Sequence, residues 1–135
     1  MTGRKVAATD LVRALWDALE RRDWVAAREL LADDAILTWI CTGERFRGGD
    51  AIIQVNAVYP EGWSIRVIEC VPLADGRILS LVRVAHPPQC FFATSLFLVA
   101  QGRIQAIDEY WATAEAPPAW RSGGALPGYE RLSDV

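Results

Sequence analysis

Apolar positions in the first part of the chain recur with the spacing of amphipathic helices. Leu11, Leu15 and Leu19 stand four residues apart, so they share one helix face, and Thr9 or Asp10 precedes them as a candidate cap. Similar patterns follow twice before residue 60, where a proline and a glycine end the last one. The pattern predicts helices at about residues 10–22, 24–31 and 51–58.

The pattern changes after residue 34 to β-branched, aromatic and partly alternating runs, which are typical of strands. Turn signals separate these runs at residues 75–76 and 101–102, and a proline pair at 87–88 marks a further loop. Strands are predicted at residues 35–41, 64–73, 78–85, 91–100 and 103–112, with a turn region at 43–49. Residues 115–135 hold three of the seven prolines and are predicted to form an irregular tail.

Helices and strands are largely segregated along the chain, which predicts an α+β fold. The length of 135 residues corresponds to one domain, residues 1–135, with a core at about 9–112. A formal net charge of -3 and the absence of any basic block argue against nucleic-acid binding. No apolar run is long enough to cross a membrane and residues 1–10 contain no signal-peptide core, so we expect a soluble, cytoplasmic protein.

The three cysteines form no C-x-x-C pair, and their number is odd. We therefore expect reduced thiols at Cys41, Cys70 and Cys90 rather than a disulfide framework. His86, the single histidine, would have to complete any metal set with these thiols, but the spacings match no structural zinc pattern. No metal site is predicted.

Three segments in register resemble the nuclear transport factor 2-like superfamily, in its SnoaL-like and ketosteroid isomerase-like branch. They are LLADDA at residues 30–35, FRGGDAI at 46–52, and GRI at 102–104 leading into EYW at 109–111. The resemblance implies a cystatin-like cone, in which a curved antiparallel sheet is wrapped by three helices of the N-terminal half. It also implies a mostly apolar cavity, open at one end, of the kind that holds small molecules.

The superfamily contains ketosteroid isomerase, SnoaL-like polyketide cyclases, limonene epoxide hydrolase, scytalone dehydratase and many non-catalytic domains, so the fold does not choose the function. The positions equivalent to the ketosteroid isomerase base and oxyanion pair fall on Trp39, Leu15 and Ser95, none of which can do that chemistry. A ketosteroid isomerase mechanism is therefore not supported.

Two other family chemistries retain part of their residues. The limonene-type arginine and one carboxylate match Arg83 and Glu109, but the second carboxylate falls on Ala85. The SnoaL-like cyclases use a carboxylate on or near the last strand, a role open to Glu109 or Asp108. Strand alternation lets only one of these two point inward, and the register with the family favours Glu109.

The resemblance thus implies a cavity site with Glu109 as the acid/base group and Arg83 as its partner or as an anion binder. The expected ligand-binding residues around them are Trp39, Ser95, Phe97, Ile107 and Trp111, with His86 at the mouth. A buried pair of Glu109 and Arg83 that only closes the sheet is the structural alternative. A lone histidine beside a proline pair is more often a plain loop residue than a catalytic one, so a loop position is the favoured alternative for His86.

The function expected from this site is binding of a small apolar organic ligand, with isomerase, cyclase or hydrolase activity that needs no metal or organic cofactor. The alternative is a non-catalytic domain that binds a ligand or a protein. Thr94, Leu96 and Leu98 should lie on the convex sheet face and make a homodimer interface. Trp120 is a candidate lid or plug of the cone. Arg45 and Arg47 could guide an acidic ligand to the mouth or simply lie in a solvated loop.

Overall fold

The computed structural model describes residues 7–132, which form four helices and six strands. The helices are α1 (Ala8–Glu20), α2 (Trp24–Glu29), α3 (Gly49–Val58) and the short α4 (Ala119–Ser122). The strands are β1 (Leu31–Trp39), β2 (Glu44–Arg47), β3 (Ser64–Pro72), β4 (Ile78–His86), β5 (Gln89–Ala100) and β6 (Arg103–Thr113). None of the helices within residues 7–132 is long and apolar enough to span a bilayer.

The six strands form one curved, open sheet in the order β2-β1-β6-β5-β4-β3. Neighbouring strands are antiparallel except for β1 and β6, which run parallel because the chain crosses the whole sheet between them. The predicted α+β cone with three N-terminal-half helices is confirmed, with this one parallel pair as a correction.

Successive strand residues point to opposite sides of the sheet, and the two sides differ sharply in burial. The concave face carries the buried residues of β4, β5 and β6, among them Val82, Phe97 and Ile107, and the first three helices cover it. The convex face carries the alternate residues, among them Leu96 and Asp108, and the helices leave it uncovered. The hydrophobic core therefore lies between the concave face and the helices.

Several helix and strand boundaries differ from the predicted ones, among them those of β1, which spans Leu31–Trp39 instead of residues 35–41. α1 begins at Ala8, so Thr9 and Asp10 lie inside the helix and make no side-chain cap bond. α2 ends at Glu29 because the chain enters β1 at Leu31. The predicted turn region at residues 43–49 contains β2, whose four residues pair with β1.

The C-terminal segment does not close the cone. Trp120 is 77% exposed, so the prediction that it forms a plug is wrong. Of the tryptophans expected in the core, Trp16 and Trp63 are buried and Trp24 is half-buried. No residue of the segment 114–132 lines the space between the sheet and the helices.

Candidate functional site

A cavity of about 560 Å³ lies between the concave face and helices α1 and α3. Its volume falls within the range of small-molecule sites, and most of its lining is apolar. The aromatic lining residues are Trp16, Trp39, Tyr59, Trp63, Phe91, Phe97 and Trp111. The polar or ionisable lining residues other than these are Cys41, Thr42, Glu44, Asn56, Glu109 and Thr113.

Glu109 is the buried ionisable group of this cavity, and strand register places it there. Alternation along β6 turns Ile107, Glu109 and Trp111 to the concave face, as predicted, and all three line the cavity. In the sheet, Glu109 lies directly between Trp39 of β1 and Ser95 of β5. Its exposed fraction is only 6%.

Three side chains donate hydrogen bonds to the Glu109 carboxylate. The indole N–H groups of Trp39 and Trp111 both reach Oε1, at 3.1 and 2.9 Å, and the Ser95 hydroxyl donates to Oε2 at 2.7 Å. A carboxylate offers about four acceptor positions, two on each oxygen. The two indoles therefore occupy both positions of Oε1, whereas the side chains of residues 7–132 occupy one of the two positions of Oε2 and leave the other for a proton or a ligand.

Burial and hydrogen bonding act on the Glu109 carboxyl in opposite directions. Desolvation raises the pKa of Glu109, because removing water disfavours the charged form. The hydrogen bonds from Ser95, Trp111 and Trp39 lower this pKa but do not cancel the effect of burial, so the pKa stays above its ordinary value. A carboxyl with a raised pKa is suited to exchanging a proton near neutral pH.

Arg83 does not partner Glu109. In β4 the buried residues Val82 and Val84 point to the concave face, so Arg83 between them points to the convex face, where it lies opposite Phe92. Arg83 contributes nothing to the pKa of Glu109 and does not line the cavity. The expected pairing is therefore wrong. Ala85 has the same orientation, so this structure does not assemble the limonene-type site on its concave face.

His86 lies beside the cavity rather than in its lining. It contacts Tyr59, a lining residue that was not predicted from the sequence. Its Nε2 lies 3.2 Å from the Glu61 carbonyl oxygen, and its Nδ1 lies 3.2 Å from the Tyr59 hydroxyl. Because a carbonyl only accepts, the ring donates from Nε2 to Glu61, and its Nδ1 faces the Tyr59 hydroxyl. Tyr59 lines the cavity and is 40% exposed, so this pair fixes one side of the mouth.

The remaining predicted residues divide between the cavity wall and its support. Phe97 and Trp39 line the cavity, and Trp39 packs edge-on against Phe46 with ring centroids 4.7 Å apart. Ser95 is fully buried and acts through its bond to Glu109. The position equivalent to the ketosteroid isomerase base is therefore occupied by a tryptophan that donates to a carboxylate supplied by another strand.

Arg45 and Arg47 lie in β2 and are exposed, away from the cavity lining. Arg45 donates to the Thr38 hydroxyl at 3.2 Å across the strand pair, so it supports the sheet edge. All three cysteines are free thiols, as expected. Within residues 7–132, no group of three or more His, Cys, Asp or Glu side chains is placed to hold a metal ion.

No protein-family model matches the sequence, and no curated protein sequence matches it significantly. Solved structures do match. A protein of Kribbella flavida DSM 17836, provisionally assigned as a ketosteroid isomerase, is 25% identical with a TM-score of 0.77, and the match covers 94% of this chain and 93% of that one. A provisionally assigned polyketide cyclase of Sinorhizobium meliloti is 26% identical with a TM-score of 0.64, over 74% and 93% of the chains.

An LEH-like epoxide hydrolase of M. tuberculosis is 23% identical with a TM-score of 0.66, over 78% of this chain and 83% of that one. An NTF-2 like protein of unknown function from Burkholderia xenovorans LB400 is 19% identical with a TM-score of 0.72, over 87% and 91%. The element order and the sheet agree with the resemblance carried by the sequence motifs. The chain thus has the fold of the nuclear transport factor 2-like structures, and its structural neighbours include isomerase-like, cyclase-like and epoxide hydrolase-like proteins.

Proposed function

We propose that the protein binds a small, mainly apolar organic molecule in the cavity and that Glu109 is the acid/base group that contacts it. The observation that carries this proposal is the open acceptor position on Oε2 of a buried carboxyl that lines a cavity of about 560 Å³. An apolar wall supplies most of the binding free energy, and one polar group fixes the ligand's orientation.

The three hydrogen bonds to Glu109 support different roles for its two carboxyl oxygens. Trp39 and Trp111 can only donate, so they hold Oε1 in both protonation states. Ser95 can donate or accept, so its hydroxyl can turn when a proton arrives on Oε2. Oε2 is therefore the atom that would take a proton from a bound molecule or give one to it, as a general base or acid.

The structural neighbours support a reaction of the isomerase, cyclase or hydrolase type, because their names include an isomerase, a cyclase and an epoxide hydrolase. Among these, the cyclase-like arrangement agrees best with the site. It needs one carboxylate in the cavity on or near the last strand, and Glu109 meets this requirement, whereas Arg83 and Ala85 face away from it.

A non-catalytic ligand-binding domain is the second candidate. The three donors to Glu109 favour it, because they also stabilise the anion and leave a single position that can anchor a polar ligand atom. Both candidates place the ligand in the same cavity and differ only in whether a proton is transferred.

A thermal-shift screen with apolar carbonyl, epoxide, polyketide-like, steroid and amine compounds tests the proposal. A ligand at about 100 times its dissociation constant adds about 2.7 kcal/mol, which raises the melting temperature by on the order of 10 °C for a domain of this size. Each hit is then incubated with the wild-type protein and with Glu109→Gln and analysed by mass spectrometry. Conversion by the wild type alone supports catalysis, binding without conversion supports the second candidate, and no hit from any class contradicts both.

The convex face is proposed as a homodimer interface. Thr94, Leu96 and Leu98 lie there as predicted. Leu98 is 49% exposed, and Tyr110, which lies opposite Thr94 on the same face, is 44% exposed. Exposed apolar side chains that share a face are typical of association surfaces. Sedimentation velocity at micromolar concentration should give a dimer, and a monomer there would contradict the proposal.

A further inference from the structure

The cavity lining has an asymmetry of charge. Two carboxylates line the cavity, Glu109 in its interior and Glu44 at its exposed edge. No lysine, arginine or histidine of residues 7–132 is part of the lining. Anionic ligands would therefore meet like charge and find no side-chain cation, whereas a cationic ligand would meet two carboxylates.

Because Glu109 is buried, a positive charge placed beside its carboxylate would stabilise the charged form strongly. A buried carboxylate without a paired cation is unfavourable, because the charge has lost its water and only hydrogen bonds replace it. The expected internal cation, Arg83, lies on the other face of the sheet. A ligand ammonium with an N–H on Oε2 would fill the open acceptor position and compensate the charge at the same time.

The aromatic content of the wall points to the same ligand chemistry. Seven of the lining side chains are aromatic, four of them tryptophans. Indole rings attract cations electrostatically through their π faces, and this attraction strengthens when water is excluded. The apolar remainder of the cavity matches a hydrocarbon skeleton.

We infer that the ligand of this cavity is a hydrophobic amine, bound as its ammonium form with the nitrogen at Glu109 Oε2. This inference rests on the proposed function, because it requires the cavity to be a binding site, and it adds the ligand's class. Glu44 would attract the same cation at the edge of the cavity.

Three probes that share one skeleton test the inference by isothermal titration calorimetry at neutral pH. Tryptamine carries an ammonium, tryptophol a hydroxyl and indoleacetate a carboxylate on the same indole framework. We expect tryptamine to bind at least about tenfold more tightly than tryptophol, and indoleacetate to bind most weakly. Glu109→Gln should erase the advantage of tryptamine over tryptophol.

Asp108→Asn is the matched control, because it removes the same charge from the adjacent residue on the convex face. It should leave the ranking of the three probes unchanged. Circular dichroism and thermal unfolding of each variant establish that it is folded before binding is compared.

The inference is overturned if tryptophol or indoleacetate binds as tightly as tryptamine, if the advantage of tryptamine survives in Glu109→Gln, or if none of the three binds at millimolar concentration. The proposed function fails separately. If tryptophol binds as tightly as tryptamine and its binding depends on Glu109, the cavity remains the binding site and only the amine is rejected. A Glu109-dependent hit among the neutral compounds of the thermal-shift screen, without a preference for tryptamine, would lead to the same conclusion.

Discussion

The two faces of the sheet are built from the same strands, yet they have opposite chemistry. Glu109 and Asp108 are adjacent in β6, but Glu109 lies at the cavity with three hydrogen-bond donors and Asp108 is exposed on the convex face. Val84 and Arg83 show the same contrast in β4. A shift of one residue therefore decides whether a side chain can reach a ligand.

Packing gives the largest expected contrast between the faces. Phe97 is fully buried on the concave face, so Phe97→Ala should lower the free energy of unfolding by about 3–5 kcal/mol. Leu98→Ala, one residue away on the convex face, should cost the monomer under about 1 kcal/mol. Urea denaturation measures both. Equal losses would contradict the assigned faces, and a loss at Leu98 that depends on protein concentration would place this residue in the dimer interface.

Hydrogen bonding to Glu109 gives the next contrast. Ser95→Ala removes the 2.7 Å bond to the buried carboxyl and should cost about 1–3 kcal/mol, with the pKa of Glu109 rising further. Thr94→Ala on the convex face is the control and should leave this pKa unchanged. If the two variants are equally stable and titrate alike, Ser95 does not support the site.

These contrasts also show which parts of the site could be predicted from the sequence. Alternation in β6 placed Glu109 and Asp108 on opposite faces, but both are acidic, so only the register with the family favoured Glu109. The structure places Glu109 at the cavity together with Ile107 and Trp111. In β4 both sets of alternate residues are largely apolar, and the buried set includes a serine, Ser80, which accepts a hydrogen bond from Trp16 at 3.0 Å. The face of Arg83 could not be read from such a pattern.

Tyr59 was missed for a different reason. It follows the last turn of α3, where Pro60 and Gly62 were read only as the end of the helix. Its place at the mouth depends on His86, which is 27 residues further along the chain. Contacts of this kind between distant segments leave no periodic signal in one sequence.

The pH dependence of the free energy of unfolding should have opposite signs for Glu109, whose pKa is raised, and for the exposed Asp33, whose pKa is lowered. The folded protein keeps a proton on Glu109 at pH values where the unfolded chain has lost it, because burial raises the pKa of Glu109. The free energy of unfolding should therefore fall, by at most about 1.4 kcal/mol per pH unit, as the pH rises from the ordinary pKa of 4.5 to the raised one. Glu109→Gln should remove this fall.

Asp33→Asn is the control with the opposite sign. The hydrogen bond and charge of Arg28 lower the pKa of Asp33, so its contribution to stability is present above its unfolded pKa and is lost as the pH falls through the folded one. Chemical denaturation across the pH range measures both variants. A pH-independent difference between the wild type and Glu109→Gln would contradict the buried, unpaired state of this carboxyl.

The smallest effect is expected at Arg83. Because Arg83 lies on the convex face, Arg83→Gln should change the free energy of unfolding by no more than about 0.5 kcal/mol and leave ligand binding unaltered. Denaturation and calorimetry with the best ligand measure these quantities. A strong loss of binding would restore the rejected pairing with Glu109.

Carbon NMR of the side-chain carboxyls tests the central claim most directly, because it follows Glu109 itself. Glu109→Gln assigns the resonance, which is then titrated with pH in the free protein and with the best ligand. We expect the free Glu109 carboxyl to titrate above 4.5 and its resonance to shift when the ligand binds. Titration at or below 4.5, or a resonance that a tightly bound ligand leaves unmoved, would contradict the assignment of this cavity as the functional site.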